Sequence, residues 1–317
     1  MTHFQRFVGI DVAKDKLDIH CLPDGLTFQA ANNRDGFKEL LARLAADAAC
    51  AIGCEASGGY EGALLIALAE AGQPVWCLHP SDVRAFARLK GKRAKTDALD
   101  ARAIAEVLTI AVTTRKPVCR TRQQSQLKEM LTARRAVLAS IVTLKSLLAQ
   151  LRDLAVRELL EHSLRHHQQL LKQLTKALQQ TIQSNQDMAT IERRIRSVPG
   201  AGPVLAAELV TNMPELGTLT SRQVASLAGL APHPRQSGKS TQKGHCQAGR
   251  STVRRALYMA TLAALRTKNP TIHPFYQRLR TAGKPFKVAI AAAMRKFIVM
   301  LNSMIKTHSD WHASQPA

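Results

Sequence analysis

The chain has 317 residues, enough for two domains and a sizeable core. Lys and Arg number 45 against 23 Asp and Glu, a formal net charge of +22, which points to a polyanionic partner and away from a small-molecule enzyme. The charge is unevenly placed: from Leu216 to Ser309 there is no acid but sixteen Lys or Arg. Any carboxylate metal site therefore belongs upstream, and the C-terminal part is built to lie on phosphates.

From Phe7 the pattern reads strand, turn, strand through FVGID, KLDIHCLPDG and LTFQAAN, with hairpin chemistry at Pro23, Asp24 and Gly25. DGFKELLARLAADAA follows as an amphipathic helix with Asp35 as its expected N-cap. CAIGCE and QPVWCLHP read as two further strands, separated by the helix YEGALLIALAEAG with its terminal glycine. A hairpin followed by alternating helices and strands predicts a mixed sheet flanked by helices, an α/β domain. Pro117 breaks the chain after a helical stretch that carries KTDALDAR.

From Gln123 to Ile182 the composition shifts to Leu, Gln, Arg and Lys without Gly or Pro. Apolar residues recur there at three and four, at Val137, Ile141, Leu144, Leu148 and Leu151, then at Leu171, Leu174, Leu178 and Ile182. That is a coiled-coil seam over two long helices, either an intramolecular hairpin or, as favoured here, a dimerisation arm. IRSVPGAGPVLAAELV resembles a helix-hairpin-helix, whose glycine-rich turn offers backbone N–H groups to DNA phosphates. A helix through SRQVASLAGL, a polar basic loop from Ala231 to Gly249, and two helices, STVRRALYMATLAALRT and PFKVAIAAAMRKFIVMLNSMI, complete the chain. The expected domains are 1–116, 117–189 and 190–317: an α/β metal domain, a helical coiled-coil arm and an all-α DNA-binding domain.

No apolar run approaches 18 residues free of charge, so no membrane span is expected. The six cysteines (Cys21, Cys50, Cys54, Cys77, Cys119, Cys246) form no CxxC pair and follow no secretory leader, the usage of reduced thiols in a cytosolic protein. His162 and His166 have helical metal spacing but no accompanying partner motif, and are expected at the surface.

Four carboxylates carry the chemistry. Asp11 in FVGIDVAKDK and Glu55 in AIGCEASGG each close an apolar strand, while Asp97 and Asp100 project from one face of a helix. Acids at the ends of clustered elements build an oxygen-rich cage for two magnesium ions, which clamp the attacking and leaving oxygens of a phosphoryl transfer. Lys92, Arg93 and Lys95 stand beside the helical pair, suited to a nucleic-acid backbone. A second constellation is RQSGKST, where Ser237 precedes Gly238 between Arg235 and Lys239. Glycine beside a hydroxyl permits the close approach a nucleophile needs, although a flexible surface loop has the same composition. The loop lacks complete P-loop spacing, and no second phosphate loop of an actin-like ATPase is seen, which argues against ATP binding.

Taken in order, GIDVAKDKLD, EASGGY and KTDALDAR, then VPGAGPVLAAEL, LAGLAP, SGKS and RRALYMA, resemble the DEDD transposases of bacterial insertion sequences. That family includes Piv-type DNA invertases and bridge-RNA-guided recombinases, and the likeness runs from about Phe7 to Lys296. The resemblance implies a RuvC-like, RNase H-type N-terminal domain. It implies a magnesium-binding tetrad of Asp11, Glu55, Asp97 and Asp100, with a serine nucleophile matched by Ser237 and Ser240 as its rival. It further implies double-stranded donor and target DNA, a structured guide RNA, a homo-oligomer up to a tetramer, and a cytoplasmic, nucleoid-associated protein. The basic residues expected on nucleic acid are Lys92, Arg93, Lys95, Arg235, Lys239, Lys243, Arg250, Arg254 and Arg255. Competing readings are a hydrolytic RuvC-like junction nuclease and a non-catalytic architectural protein.

Overall fold

The computed structural model describes residues 4–44, 50–91, 97–118, 121–237, 240–246 and 248–312, the side chains of 97–99 and 233–245 excepted. The chain divides into two compact units, Met1–Ser125 and Gln126–Ala317.

In the first unit β1 (Arg6–Val12), β2 (Lys16–Leu22) and β3 (Thr27–Ala31) form an antiparallel meander. On its other edge β1 pairs in parallel with β4 (Cys50–Glu55), and β4 with β5 (Val75–Leu78), giving the order β3-β2-β1-β4-β5. The period-2 alternation of the strands decides which helices cover which face. Val8, Ile10 and Val12 of β1 join Leu17 and Ile19 of β2 in a core with α1 (Arg34–Leu44) and α2 (Gly62–Glu70). The opposite face sets Ala51, Trp76 and Leu78 against α3 (Pro80–Leu89) and α4 (Asp97–Thr114). The expected α/β domain is therefore present, with α3 as an addition.

The cap of α1 differs from the expectation. Asn33 Oδ1 accepts from the backbone N–H groups of Asp35 (3.1 Å) and Gly36 (3.0 Å). Asp35 sits inside the first turn and pairs with Lys38 at 3.0 Å. The side-chain amide oxygen one residue before the helix reaches the free N–H groups, and a carboxylate within the turn does not.

The second unit contains most of α5 (Arg122–Leu148), then α6 (Leu154–Gln183), α7 (Gln186–Arg196), α8 (Pro203–Asn212), α9 (Ser221–Leu227), α10 (Ser251–Arg266), α11 (Ile272–Thr281) and α12 (Phe286–Lys306). Of the nine expected stripe positions, Ile141, Leu148, Leu178 and Ile182 are buried and Val137, Leu144, Leu151, Leu171 and Leu174 are half-buried; Leu127 and Leu131 of α5 pack on Leu178 and Ile182 of α6. The main core surrounds α12, with Phe297 fully enclosed. This helix alone among the described residues is long and apolar enough to cross a membrane, yet 61% of that window is buried, as in a core helix.

The unit is not wholly helical. The predicted loop from Ala231 to Gly249 is a two-stranded hairpin of β6 (Pro232–Ser237) and β7 (Ser240–Cys246), with a register irregularity between His233 and Arg235. Two prolines in β6 conceal a strand from any local propensity reading, but an edge strand with a bulge tolerates them.

Candidate functional site

Three of the four predicted acids have described side chains, and the fold sets them on one face of the first sheet. Asp11 and Glu55 each lie one residue beyond the paired residues Ile10 and Cys54, at the C-terminal ends of the adjacent parallel strands β1 and β4. That end of an open α/β sheet is where ligands collect. Both acids are partly exposed. By alternation Asp11 shares its face with Gly9, and Gly9 lies under α4. A Cβ at Gly9 would fall 2.9 Å from Ala105 Cβ and would overlap Ala101 O and Ala105 N. Only glycine lets the helix lie this close. Asp100, the neighbour of Ala101, is thereby carried on the helix that crosses β1, and it too is partly exposed. Asp97 opens α4, but its side chain lies outside the described residues, as do Lys92, Arg93 and Lys95.

The donor set is all carboxylate, the hard-oxygen chemistry that suits magnesium. Among the described residues no three His, Cys, Asp or Glu side chains stand together as a metal-binding group. Asp11, Glu55 and Asp100 share a sheet face but are not gathered into such a group. His162 and His166 form no such group either. Cys21, Cys50 and Cys54 are buried, Cys77 is partly buried and Cys246 is exposed, all as free thiols. Burial pushes the thiols of Cys21 and Cys50 above their ordinary range. Cys119 lies outside the described residues.

Residues absent from the sequence prediction frame this edge. Asp18 of β2 is the register partner of Asp11 and is buried, held by Lys16 Nζ at 3.0 Å and by the Gln29 side chain. Its signal lay in the alternation of β2, where Leu17, Ile19 and Cys21 take the apolar face and leave Asp18 and His20 beside Asp11. Glu61, also buried, folds the loop after Glu55 by accepting from Ser57 N (3.1 Å), Ser57 Oγ (3.3 Å) and Gly59 N (2.9 Å). The Asn32 amide donates to the carbonyls of Ala13 (2.8 Å) and Tyr60 (3.2 Å), tying the loops after β1 and β4 together.

The second constellation stands on the hairpin. Ser237 and Ser240 are register partners at the distal ends of β6 and β7; Gly238 and Lys239 between them lie outside the described residues, as do the side chains of Arg235, Ser237, Ser240 and Lys243. The base of the hairpin is clasped. Gly249, at φ +70°, lies so close to Gly229 that a Cβ would fall 2.5 Å from Gly229 Cα and 2.8 Å from Leu227 O. Arg250 N donates to Leu227 O at 2.7 Å, and Arg254 Nη1 donates to Ala248 O at 2.7 Å. The Arg250 guanidinium forms a bidentate pair with Glu215, both contacts 2.7 Å, and donates to Asn212 O at 2.8 Å. Burial opposes ionisation of Glu215, but the hydrogen bond and charge of Arg250 outweigh it and hold that carboxyl below its ordinary range. Of the predicted nucleic-acid contacts, Arg250 and Arg254 thus brace the hairpin, while Arg255 is exposed on α10.

The glycine-rich turn between α7 and α8 divides its labour. Gly200, at φ +97°, packs on α10, where a Cβ would lie 2.5 Å from Ala264 Cα, and buried Asn269 donates to Pro199 O at 2.9 Å. Gly202, the N-cap of α8, has open space around its Cα. Beneath the turn, Glu208 is buried between Arg135 Nη1 (2.9 Å) and the Asn212 amide (2.7 Å), which links α8 to α5.

Residues 8–156 match the family model of the DEDD IS110 transposases, and residues 192–277 match that of the transposase IS116/IS110/IS902 family, well over half of the chain together. The pilin gene-inverting protein of Moraxella lacunata is 25% identical over 312 residues, 95% of either chain. The insertion element IS900 uncharacterized 42 kDa protein of Mycobacterium paratuberculosis is 33% identical over 138 residues, 39% of this chain and 34% of that one. Among solved structures, Thermus thermophilus RuvC is similar over 36% of this chain and 100% of its own, at 19% identity and a TM-score of 0.25. A likeness that slight decides nothing about fold or substrate.

Proposed function

Since the chain belongs to the IS110 family of transposases, we propose that it is a DNA recombinase that uses the acids Asp11, Glu55, Asp97 and Asp100 with a serine nucleophile, Ser237. The observation that carries this reading is the close seat of α4 on Gly9, which sets Asp100 on the sheet face where Asp11 and Glu55 end adjacent parallel strands. The N-terminal unit acts in this reading as a RuvC-like domain. Magnesium bound by the four acids would polarise the scissile phosphate and offset charge in the transition state. Ser237 Oγ attacks phosphorus: its bond to phosphorus forms, the P–O3′ bond breaks, and the departing 3′ oxygen takes up a proton. A 3′ hydroxyl of a partner strand reverses the displacement, releasing the serine and conserving the number of phosphodiesters.

The long acid-free stretch supports donor and target duplexes as substrates and a structured RNA as the guide that chooses them, while the protein holds backbones. Apolar side chains left exposed along α5 and α6, among them Leu138, Val142, Leu154 and Leu159, support assembly of the chain into a homo-oligomer. The test is denaturing capture of protein–DNA adducts from cells carrying the gene with its native flanks. Adducts are expected from the wild type and lost in Ser237→Ala and Asp11→Asn. Adducts that persist in Ser237→Ala move the nucleophile, to Ser240 first, and DNA cutting without adducts makes the protein a hydrolytic nuclease.

A further inference from the structure

The second unit contains a cavity of about 760 Å³ that the mechanism above does not use. It lies along one side of α12. Half-buried Val299 and Met300 and Trp311 of the C-terminal segment give its lining apolar surface. Arg295 and Lys296 line the same cavity. The Phe275 ring holds the Lys296 ammonium 5.0 Å from its centroid, a cation–π contact that fixes this cation at the cavity. Trp311 is fixed through its backbone, whose N–H donates to Ser197 Oγ at 3.0 Å. The volume falls within the roughly 300–1,000 Å³ of small-ligand pockets. Among the described residues no carboxylate lines it, and Asp310, next to Trp311, is exposed outside it.

An indole, apolar side chains and two cations lining one cavity suit a planar aromatic group joined to a phosphate. We infer that this cavity seats one unpaired nucleotide of a nucleic-acid strand, its base against Trp311, Val299 and Met300 and its phosphate on Arg295 and Lys296. Charge complementarity selects this occupant over an apolar peptide, because the cations would be left unpaired beside apolar side chains. The inference deepens the nucleic-acid-acting reading and rests on it. A seat for an extruded base would hold a strand at a junction or loop without reading its sequence, since every base has a face to stack. Trp311 stands out in a chain with two tryptophans, because Trp76 is buried in the first unit with its indole N–H on Arg115 O at 3.0 Å.

The experiment titrates the full-length protein with the tetranucleotide of thymidine and with its abasic counterpart, which has the same phosphates and no bases, and follows tryptophan emission. The thymidine strand is expected to quench emission, and the quench to vanish in Trp311→Phe. Its affinity is expected to drop roughly 5- to 50-fold in Trp311→Ala, and about as far for the abasic strand. Arg295→Gln with Lys296→Gln, which leaves the indole in place, is expected to lower the salt dependence of binding. Equal binding of both strands with unchanged emission would overturn the seat while leaving the recombinase reading intact, provided long duplexes still bind. Failure to bind any nucleic acid would sink both.

Discussion

Replacing Gly9 by alanine tests whether the seat of α4 sets the geometry of the acids. The added Cβ would lie 2.9 Å from Ala105 Cβ and would overlap the backbone of Ala101 and Ala105. Apolar carbons rest at about 3.5–4.0 Å, so the helix must retreat by close to 1 Å. Overpacking of that size costs about 1–3 kcal/mol, small enough for the unit to stay folded. The retreat also moves Asp100 relative to Asp11, and a misplacement of about 1 Å in a catalytic group costs on the order of 100-fold in rate. Gly53→Ala is the control on the same face, since the atoms nearest its Cβ belong to the flexible Leu108 side chain, at 3.2 Å. Urea unfolding and covalent adduct yield on a cognate DNA substrate are measured for both variants. If Gly9→Ala folds and keeps activity within about threefold of wild type, the close helix seat does not control the site.

Three other outcomes follow from single contacts. Gly249→Ala, strained at φ +70° and pressed on Gly229, should lose about 2–4 kcal/mol by denaturant melting and lose adduct yield with it, because the clasp fixes the hairpin that carries Ser237. Arg135→Met leaves the buried Glu208 carboxylate with the Asn212 amide and the nearby charge of Arg134 and should cost about 1–3 kcal/mol; Arg135→Met with Glu208→Leu should recover much of that in the same melts. Glu215 has its folded pKa depressed, so the stability it gains from Arg250 is present above the ordinary value of 4.5 and disappears as pH falls through the lower folded value. The melting difference between wild type and Glu215→Gln, about 1 kcal/mol or less at neutral pH for so exposed a pair, should therefore shrink below pH 4.5; a difference unchanged down to acid denaturation would disprove the linkage.

Periodicity by itself determined much of this protein. Alternation in FVGID and CAIGCE is a local property of the chain, so the strands, and with them Asp11 and Glu55 at their ends, are legible from the residues alone. The three-and-four spacing from Val137 to Ile182 likewise marks positions that the second unit buries at Ile141, Leu148, Leu178 and Ile182, and the acid-free run from Leu216 to Ser309 is plain in the residues themselves. What escapes such a reading depends on partners distant in sequence. PHPRQS reads as a loop because its prolines disfavour a strand, and only pairing with STQKGHC makes it one, with Ser237 opposite Ser240. Arg250 and Arg254 look like free cations until the fold brings Glu215 and the carbonyl of Ala248 to them. Gly9 looks like any strand glycine until α4 is laid across it, and Asp18 becomes a neighbour of Asp11 only through strand register. Local pattern sets where a side chain stands on its own element. Which groups meet is decided by packing and register, since those bring together residues tens of positions apart.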